Sequence, residues 1–593
     1  FVQTKRNGYF VVGLPTDLRK IVINPLHPTV AQIRSTNWAV RAPISVDNLG
    51  PSYPDPSEVI GLKMSARRRL EPKLPDITHG MKEAVRLVVR DVCNNLLTMD
   101  NLRKLRKDLE PCDRWSWLEH DLDEVIRKKG FKGRDRDSYI EGAVLGWMDS
   151  WTVPDIDIGS QYYQIYLERQ RSRARGVDFR PSLFIKSEMY QPTAIKPCRF
   201  IVCPDHFSRG YSHVALEPLE KIWIALTRKF NVKGLTIERL RAKMRRRFSA
   251  GKYFLETDYT SMESCVSKFM IEEVERTYYM HLGTLLDGRS GNSVNKWYQL
   301  MVKEPKLPVA DMISGRLPVM RYSGTQQTSI GNLMCNFTWM VVLLHQSLME
   351  MKLANKGDLS LVRSLVTKHG MFEGDDGLLD LSAFSMVPEP LRTQVADLVE
   401  EKSQELGVLL KCDRAEDFNE LSFCGNRLVT VAGGVFPVRN PLDLLSKMCC
   451  LFGGPEPELR VDLQLSKCLS YLMMYPSLPI VAPFAQEFVD VFGKRVGNLS
   501  RIRQSVLDAN TSYLFRELEP TEAKIDLKGV ESMRAEIQTR YGIAIDQQLM
   551  VERALKGAVH QLKNSTSEEI RLSIEIEPLH IGVGRDSMQV EET

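Results

Sequence analysis

Met371-Phe372-Glu373-Gly374-Asp375-Asp376-Gly377-Leu378-Leu379-Asp380 is the stretch on which the reading of this chain turns. Apolar residues flank a Gly-Asp-Asp-Gly centre, and Asp376-Gly377 is a dipeptide that favours a hairpin turn. The pattern predicts two short strands whose turn lifts two adjacent carboxylates to the tip of a small sheet. Neighbouring aspartates repel, so setting them side by side favours a bound divalent cation. Oxygen-only donors point to Mg²⁺ or Mn²⁺. Such a tripeptide also occurs as an ordinary acidic turn, so the rest of the chain has to decide.

Upstream, Leu255-Glu256-Thr257-Asp258-Tyr259-Thr260-Ser261-Met262-Glu263 begins in a predicted strand that delivers Asp258 at its end, and Glu263 enters a helix. Two-metal phosphoryl transfer takes carboxylates from separate segments, so that ions roughly 3.5–4 Å apart can be bridged. Asp258 and Asp375 would supply that pair. Taken singly, Asp258 reads as a strand-end turn residue and Glu263 as a first-turn helix acid. Between the two acidic segments lies Ser323-Gly324-Thr325-Gln326-Gln327-Thr328-Ser329-Ile330-Gly331-Asn332. This small polar loop suits a sugar or a phosphate, and Thr328 or Ser329 also reads as a helix N-cap. A helix follows, because Ile330, Leu333, Met334, Phe337, Met340 and Val341 recur every three or four residues.

The chain has 593 residues, which is beyond the size at which one core keeps growing, so several lobes are expected. Hydrophobic content of 43% and charged content of 26% are ordinary for a globular protein. The formal charge is only +5, but arginines gather at 67–69, 169–175 and 239–247, and the last stretch from Ser567 is acidic. Local basic blocks on a near-neutral chain suit one positive channel for a polyanion, or else solvated helix faces. The 11 cysteines are scattered without a CxxC pair. Cys198 and Cys203, followed by His206 and His213, do not make a zinc-finger pattern, so reduced, mostly buried thiols are expected. No run of apolar residues is long enough to span a membrane; the best, Phe337 to Leu344, stops at His345. Nothing at the N-terminus resembles a signal peptide. Proline-rich, loop-like sequence fills the first eighty residues and 181–204. Helical patterns run through Met81–Arg175, Leu216–Phe248 and Ser264–Tyr279, and dominate after Pro441.

The three segments, in this order, resemble motifs A, B and C of the palm of RNA-dependent RNA polymerases of positive-strand RNA viruses. The family patterns are Asp-x4-Asp, Ser-Gly-x3-Thr-x3-Asn and Gly-Asp-Asp. Ser323, Gly324, Thr328 and Asn332 match every named position of the second. Ile195-Lys196-Pro197-Cys198-Arg199-Phe200-Ile201-Val202-Cys203-Pro204-Asp205, preceded by Lys186 and Glu188, is similar to motif F of flavivirus-like and tombusvirus-like polymerases. Phe423-Cys424-Gly425 is similar to motif E, and Leu406-Gly407 with Lys411 to motif D. The resemblance covers residues 186–427. Glu263 departs from it, standing where the family usually has aspartate.

That resemblance implies an α+β fold shaped as a right hand, with an antiparallel palm sheet and mainly helical fingers and thumb. It divides the chain into an N-terminal extension with fingertips (1–80), fingers (81–215), palm (216–290), a fingers insertion (291–320), further palm (321–430), thumb (431–565) and a C-terminal tail (566–593). Pro305, Pro308 and Pro318 are expected to break regular structure in the insertion. Asp258 and Asp375, assisted by Asp376, would hold Mg²⁺ or Mn²⁺. Lys186, Lys196 and Arg199 would meet the triphosphate. Ser323, Gly324, Thr328, Asn332 and Glu263 would handle the nucleotide's ribose, and Lys411 would give a proton to departing pyrophosphate. Implied partners are template and product RNA, NTPs and other viral replication proteins. The implied place is the host cytoplasm, at membrane-associated replication complexes reached through another protein or segment. Two rival readings stand beside this one. A reverse transcriptase shares the palm but usually carries Tyr-x-Asp-Asp, against Glu373-Gly374-Asp375-Asp376 here. A catalytically silent RNA-binding palm protein is disfavoured by the presence of all the principal metal and ribose positions.

Overall fold

The computed structural model of the chain describes residues 3–6, 9–12, 21–23, 39–46, 76–106, 123, 125–126, 131–150, 163–165, 167–168, 181–185, 200–235, 237–286, 290–303, 306–309, 313–316, 319–431, 434–452, 457–495, 523–565 and 569–574. Lys186, Lys196 and Arg199, the basic runs at 67–69 and 169–175, and the acidic tail beyond 574 lie outside the described residues.

Helices joined to small sheets make an α+β architecture. The strands that matter for the site are β1 (Phe200–Pro204), β2 (Phe254–Tyr259), β3 (Gly370–Glu373), β4 (Asp376–Asp380), β5 (Leu410–Ala415), β6 (Ser422–Phe423) and β7 (Asn426–Val431). Around them lie α1 (His79–Asn95), α2 (His206–Leu226), α3 (Ile237–Phe248), α4 (Thr328–Glu350), α5 (Leu359–His369) and α6 (Arg392–Glu405). Four C-terminal helices follow: α7 (Pro457–Met474), α8 (Val481–Phe492), α9 (Leu527–Tyr541) and α10 (Ile545–Asn564).

The central sheet runs β3-β4-β2-β5, antiparallel throughout. Alternation along the strands sends successive side chains to opposite faces. Leu255, Phe372, Leu379, Leu410 and Cys412 bury one face in the main core, which α4 and α6 share. Phe254, Met371, Leu378 and Ala415 turn to the other face, under Met244 and Phe248 of α3 and beside Phe423 and Leu428. Helix α4 is buried almost all round, so it behaves as a core helix rather than a surface one. Phe337 of α4 stacks on Phe230 at 4.0 Å, with Phe372 edge-on to both.

Several boundaries differ from the sequence reading. The helix expected from Leu216 begins at His206, because Asp205 caps it through Ser208 N at 2.7 Å. The pattern from Ser264 breaks into short helical pieces with a π-helical turn at Ile271–Arg276 before Thr277–Leu286. Helix α4 is capped by neither Thr328 nor Ser329: Gln327 is the N-cap residue and makes no side-chain cap bond. In the insertion, Ser290–Met301 is helical and Pro308 lies within a strand, Lys306–Val309. That strand is at the edge of a five-stranded sheet, the position at which a sheet tolerates proline. The same sheet takes in Gln3–Arg6, Tyr9–Val12 and Ile21–Ile23, the last pairing with Ile313–Arg316.

Another N-terminal stretch crosses to the opposite end of the chain. Ala39–Arg41 pairs with Cys450–Phe452, and Ile44–Val46 runs parallel to Ile570–Leu572. Gln464 of α7 receives Ile44 N at 3.0 Å and donates to Ile44 O at 2.9 Å. Ala42, Ile44 and Val46 thus complete the core of the C-terminal helices. The nine described cysteines are all free thiols, eight of them buried. Among the described residues, no helix is long and apolar enough to cross a membrane.

Candidate active site

The acids meet at one end of the central sheet. Asp258, near the end of β2, pairs directly with Lys411 of β5. On its other side Gly377 of β4 faces Thr257, so Asp376 stands one rung further on, beside Asp258. Opposed side chains in an antiparallel pair share a face. Asp258, Asp376 and Lys411 therefore point to the side on which α3, β6 and β7 pack. Lys411 Nζ reaches Asp413 at 2.9 Å, two residues along the same face.

Asp375 occupies the hairpin turn itself. The turn expected at Asp376-Gly377 lies instead at Gly374-Asp375, closed by the pair Glu373 and Asp376. Hydrophobic register explains the difference. This turn sets Met371 against Leu378, whereas a turn at Asp376-Gly377 would set Asp375 against Leu378 and Glu373 against Asp380. Gly374 has φ +59°, as a two-residue turn with glycine first requires. The tip exposes Asp375 and leaves Asp376 half-buried.

Crowding shows in the ionisation of these groups. Burial and then the Asp375 charge push the Asp376 carboxyl up to about 6, with smaller contributions from Asp258 and Glu373 and against a hydrogen bond from the Cys424 thiol. Burial also raises Asp258, although the residue's overall exposure is high; the Tyr259 amide and Lys411 oppose it. Burial raises Glu373 too, opposed by Lys233 and Arg228. Cys424 sits in the β6–β7 turn with φ +52°, and burial beside these acids drives its thiol far above the usual range. Among the described residues, no three His, Cys, Asp or Glu side chains close up as a ready-made metal cage. The donor set nevertheless fits a hard divalent cation in kind: it is all carboxylate oxygen, and its mutual repulsion is what such a charge relieves.

The polar loop before α4 is held from behind. Gly324 N donates to Val202 O of β1 at 2.9 Å, and a Cβ on Gly324 would fall 2.6 Å from that oxygen. Thr328 Oγ1 donates back into the loop, with Tyr322 O and Thr325 O each 2.9 Å away. Asn332 is 7% exposed, and its Oδ1 accepts from Arg321 Nε at 3.1 Å. Arg321 forms a buried ion pair with Glu275, and its amide donates to the Glu263 carbonyl at 3.1 Å. Thr328 and Asn332 thus fix the loop's shape from inside, while Ser323 and Gly324 lie half-buried on it. Glu263 is half-buried in the short helix after β2, tied to the loop's flank through that backbone bond.

No protein-family model matches this chain, and no curated protein matches it.

The link between loop helix and hairpin comes from a residue that the sequence reading passed over. Asn336, fully buried on α4, donates from Nδ2 toward Gly374 O, Asp375 O and Asp376 O at 3.3, 3.0 and 3.2 Å. Its Oδ1 accepts from Tyr259 OH at 3.1 Å. One amide therefore clamps the three hairpin carbonyls to the strand that carries Asp258. The available signal was an amide set inside the apolar run Ile330–Leu344, since a buried polar side chain needs partners. Glu220 was also missed. It receives Tyr279 OH at 3.0 Å and Gln326 Nε2 at 3.3 Å, and burial pushes its carboxyl up to about 7.

Proposed function

We propose that this chain is an RNA-dependent RNA polymerase that copies a positive-strand viral genome by adding nucleotides from NTPs. The observation that carries the reading is the placement of Asp258 and Asp376 side by side on neighbouring strands, with Asp375 at the adjoining tip and the polar loop's helix bonded to that hairpin. The central sheet takes the place of the palm, the helices before it that of the fingers, and α7 to α10 that of the thumb.

Asp258, Asp375 and Asp376 would hold Mg²⁺ or Mn²⁺. When bound, such ions lower the cost of activating a 3′-hydroxyl and neutralise charge on a triphosphate. The protein's own contribution is largely positional. Asn336 fixes the height of the tip relative to β2. The loop from Ser323 to Asn332 presents a surface set from within, suited to testing a ribose 2′-hydroxyl without reading a base. Lys411 adds a cation beside Asp258 and would give a proton to a leaving pyrophosphate.

Primer extension tests this reading, with one RNA template and either NTPs or dNTPs. The unmodified chain should extend with NTPs. Asp258→Asn and Asp375→Asn should each lose synthesis by roughly 10²–10³-fold or more, the scale of removing a group that stabilises developing charge, while still binding RNA. Preferential extension with dNTPs, or no product with either metal on any template, overturns the proposal.

A further inference from the structure

A second charged feature lies outside the carboxylate cluster. Residues 227–235 turn between α2 and α3, and the turn and helix face each other across an open cleft lined by Arg228, Lys229, Arg239, Lys243, Arg246 and Arg247. Among the described residues its only other lining is Leu235 and Ala242, with no carboxylate. The sequence showed the arginines of α3 as one basic block; the fold adds Arg228 and Lys229 from a separate segment. Arg228, Lys229, Arg239 and Arg246 are exposed. Lys243 is buried beneath them, donating to Arg228 O at 2.7 Å and Asn231 O at 3.1 Å.

The cleft is joined to the catalytic hairpin by backbone. Phe372 N donates to Phe230 O at 2.9 Å, and Val232 N to Phe372 O at 3.3 Å, so the cleft's turn lies along the open edge of β3. Arg247 donates to Gly370 O at the start of that strand. Lys233, the next cation along, bonds Ser329 at the start of α4 and acts on Glu373 beside the tip. Positive charge therefore continues from the cleft, along the β3 edge, toward Asp375.

We infer that this cleft is a binding site for the phosphodiester backbone of an RNA strand, holding the strand along the β3 edge on its way to or from the acids. The inference rests on the polymerase reading for the strand's destination. Cations from two segments, without an acid among the described lining residues, match a chain of phosphates spaced along a track better than one compact anion. Their mutual repulsion is already felt: burial and then Arg247, Arg228 and Arg246 hold the Lys243 ammonium down to about 7. A polyanion in the cleft would relieve that repulsion.

The test is equilibrium binding of a fluorescent single-stranded RNA to the full chain across a range of KCl concentrations. The cleft variant is Lys229→Ala/Arg239→Ala/Arg246→Ala, which leaves the structural Lys243 and Arg247 in place. A control, Lys524→Ala/Lys528→Ala/Arg553→Ala, removes the same charge from exposed C-terminal positions. If each cation meets one phosphate, the log–log salt slope should flatten by about 2 in the cleft variant, at roughly 0.7 per contact on a single strand. The control should keep the unmodified slope, and melting temperature should show that both variants fold. Equal slopes for the cleft variant and the unmodified chain overturn the inference. So does a loss confined to anionic phospholipid vesicles, or to inorganic triphosphate, with RNA binding intact. A flattened slope in the cleft variant, with the control unchanged, supports the cleft even if primer extension by the unmodified chain refutes the polymerase reading, so the two failures are distinguishable.

Discussion

Asn336 concentrates more geometry in one side chain than any acid it supports. Truncation to alanine leaves buried carbonyls and the Tyr259 hydroxyl without their partner, at a cost of about 1–3 kcal/mol. We expect Asn336→Ala to lower the melting temperature modestly and nucleotide incorporation sharply, with RNA affinity nearly unchanged. Asn336→Asp should be worse, because a carboxylate would face three carbonyl oxygens. Incorporation that falls only in proportion to folded protein would mean that the hairpin does not depend on this clamp. Glu220 carries the pH-sensitive prediction. Its folded value of about 7 lies above the ordinary 4.5, so the folded chain binds the proton more tightly than the unfolded one. The stability this gives is complete below 4.5 and is lost as pH rises through 7. Glu220→Gln should therefore melt higher than the unmodified chain at pH 8 and lose that advantage by pH 5, as read by thermal denaturation. At this scale the meeting of the aspartates was legible because an acid at a strand end and an acidic pair at a hairpin both mark their places in the sequence. Asn336 and Glu220 were not, because a buried polar group looks ordinary until its partners are known.

Among the elements, the hairpin and the polar loop rely on glycine for different reasons, and substitution should separate them. At Gly374 nothing lies within 4 Å of an added Cβ, so only the left-handed backbone resists. Gly374→Ala should cost about 1–2 kcal/mol, and Gly374→Asn less. At Gly324 the added carbon meets backbone, Val202 O at 2.6 Å and Cys203 Cα at 2.9 Å. Gly324→Ala must push the loop off β1 and should reduce nucleotide incorporation more than Gly374→Asn. Extension rates normalised to melting temperature check the order; the reverse order would show that the loop does not need β1 behind it. Strand β2, helix α4 and the existence of the hairpin could be read directly, since their apolar spacing admits one period. The turn position could not, because two plausible dipeptides overlap and only cross-strand register chooses between them. The π-helical turn at Ile271–Arg276 leaves no mark in the spacing that separates it from an α-helix.

For the whole molecule, the α+β class followed from the mixture of periods, whereas the pairing of distant segments did not. The apolar residues of 39–46 carry no sign that their partners lie more than four hundred positions away. The same holds for the basic cleft, whose two halves are separate until the chain turns at 227–235. Ile44, fully buried against the C-terminal helices, tests the N-terminal contribution to that core. Ile44→Ala should cost about 2–4 kcal/mol and raise hydrogen exchange in α7 and α10 more than in the central sheet. Uniform loss of protection, or loss confined to the central sheet, would contradict the assignment of 39–46 to the C-terminal core.

The parallel pairing of Ile44–Val46 with Ile570–Leu572 also bears on how the chain is made. A ribosome releases the first strand long before the second, with roughly 25–105 s between them at usual elongation speeds. During that wait Ala42, Ile44 and Val46 have no finished core to enter. The C-terminal bundle cannot close until Leu572 has emerged, and newly made chain should be susceptible to chaperone capture and to protease cutting near residue 44 until then.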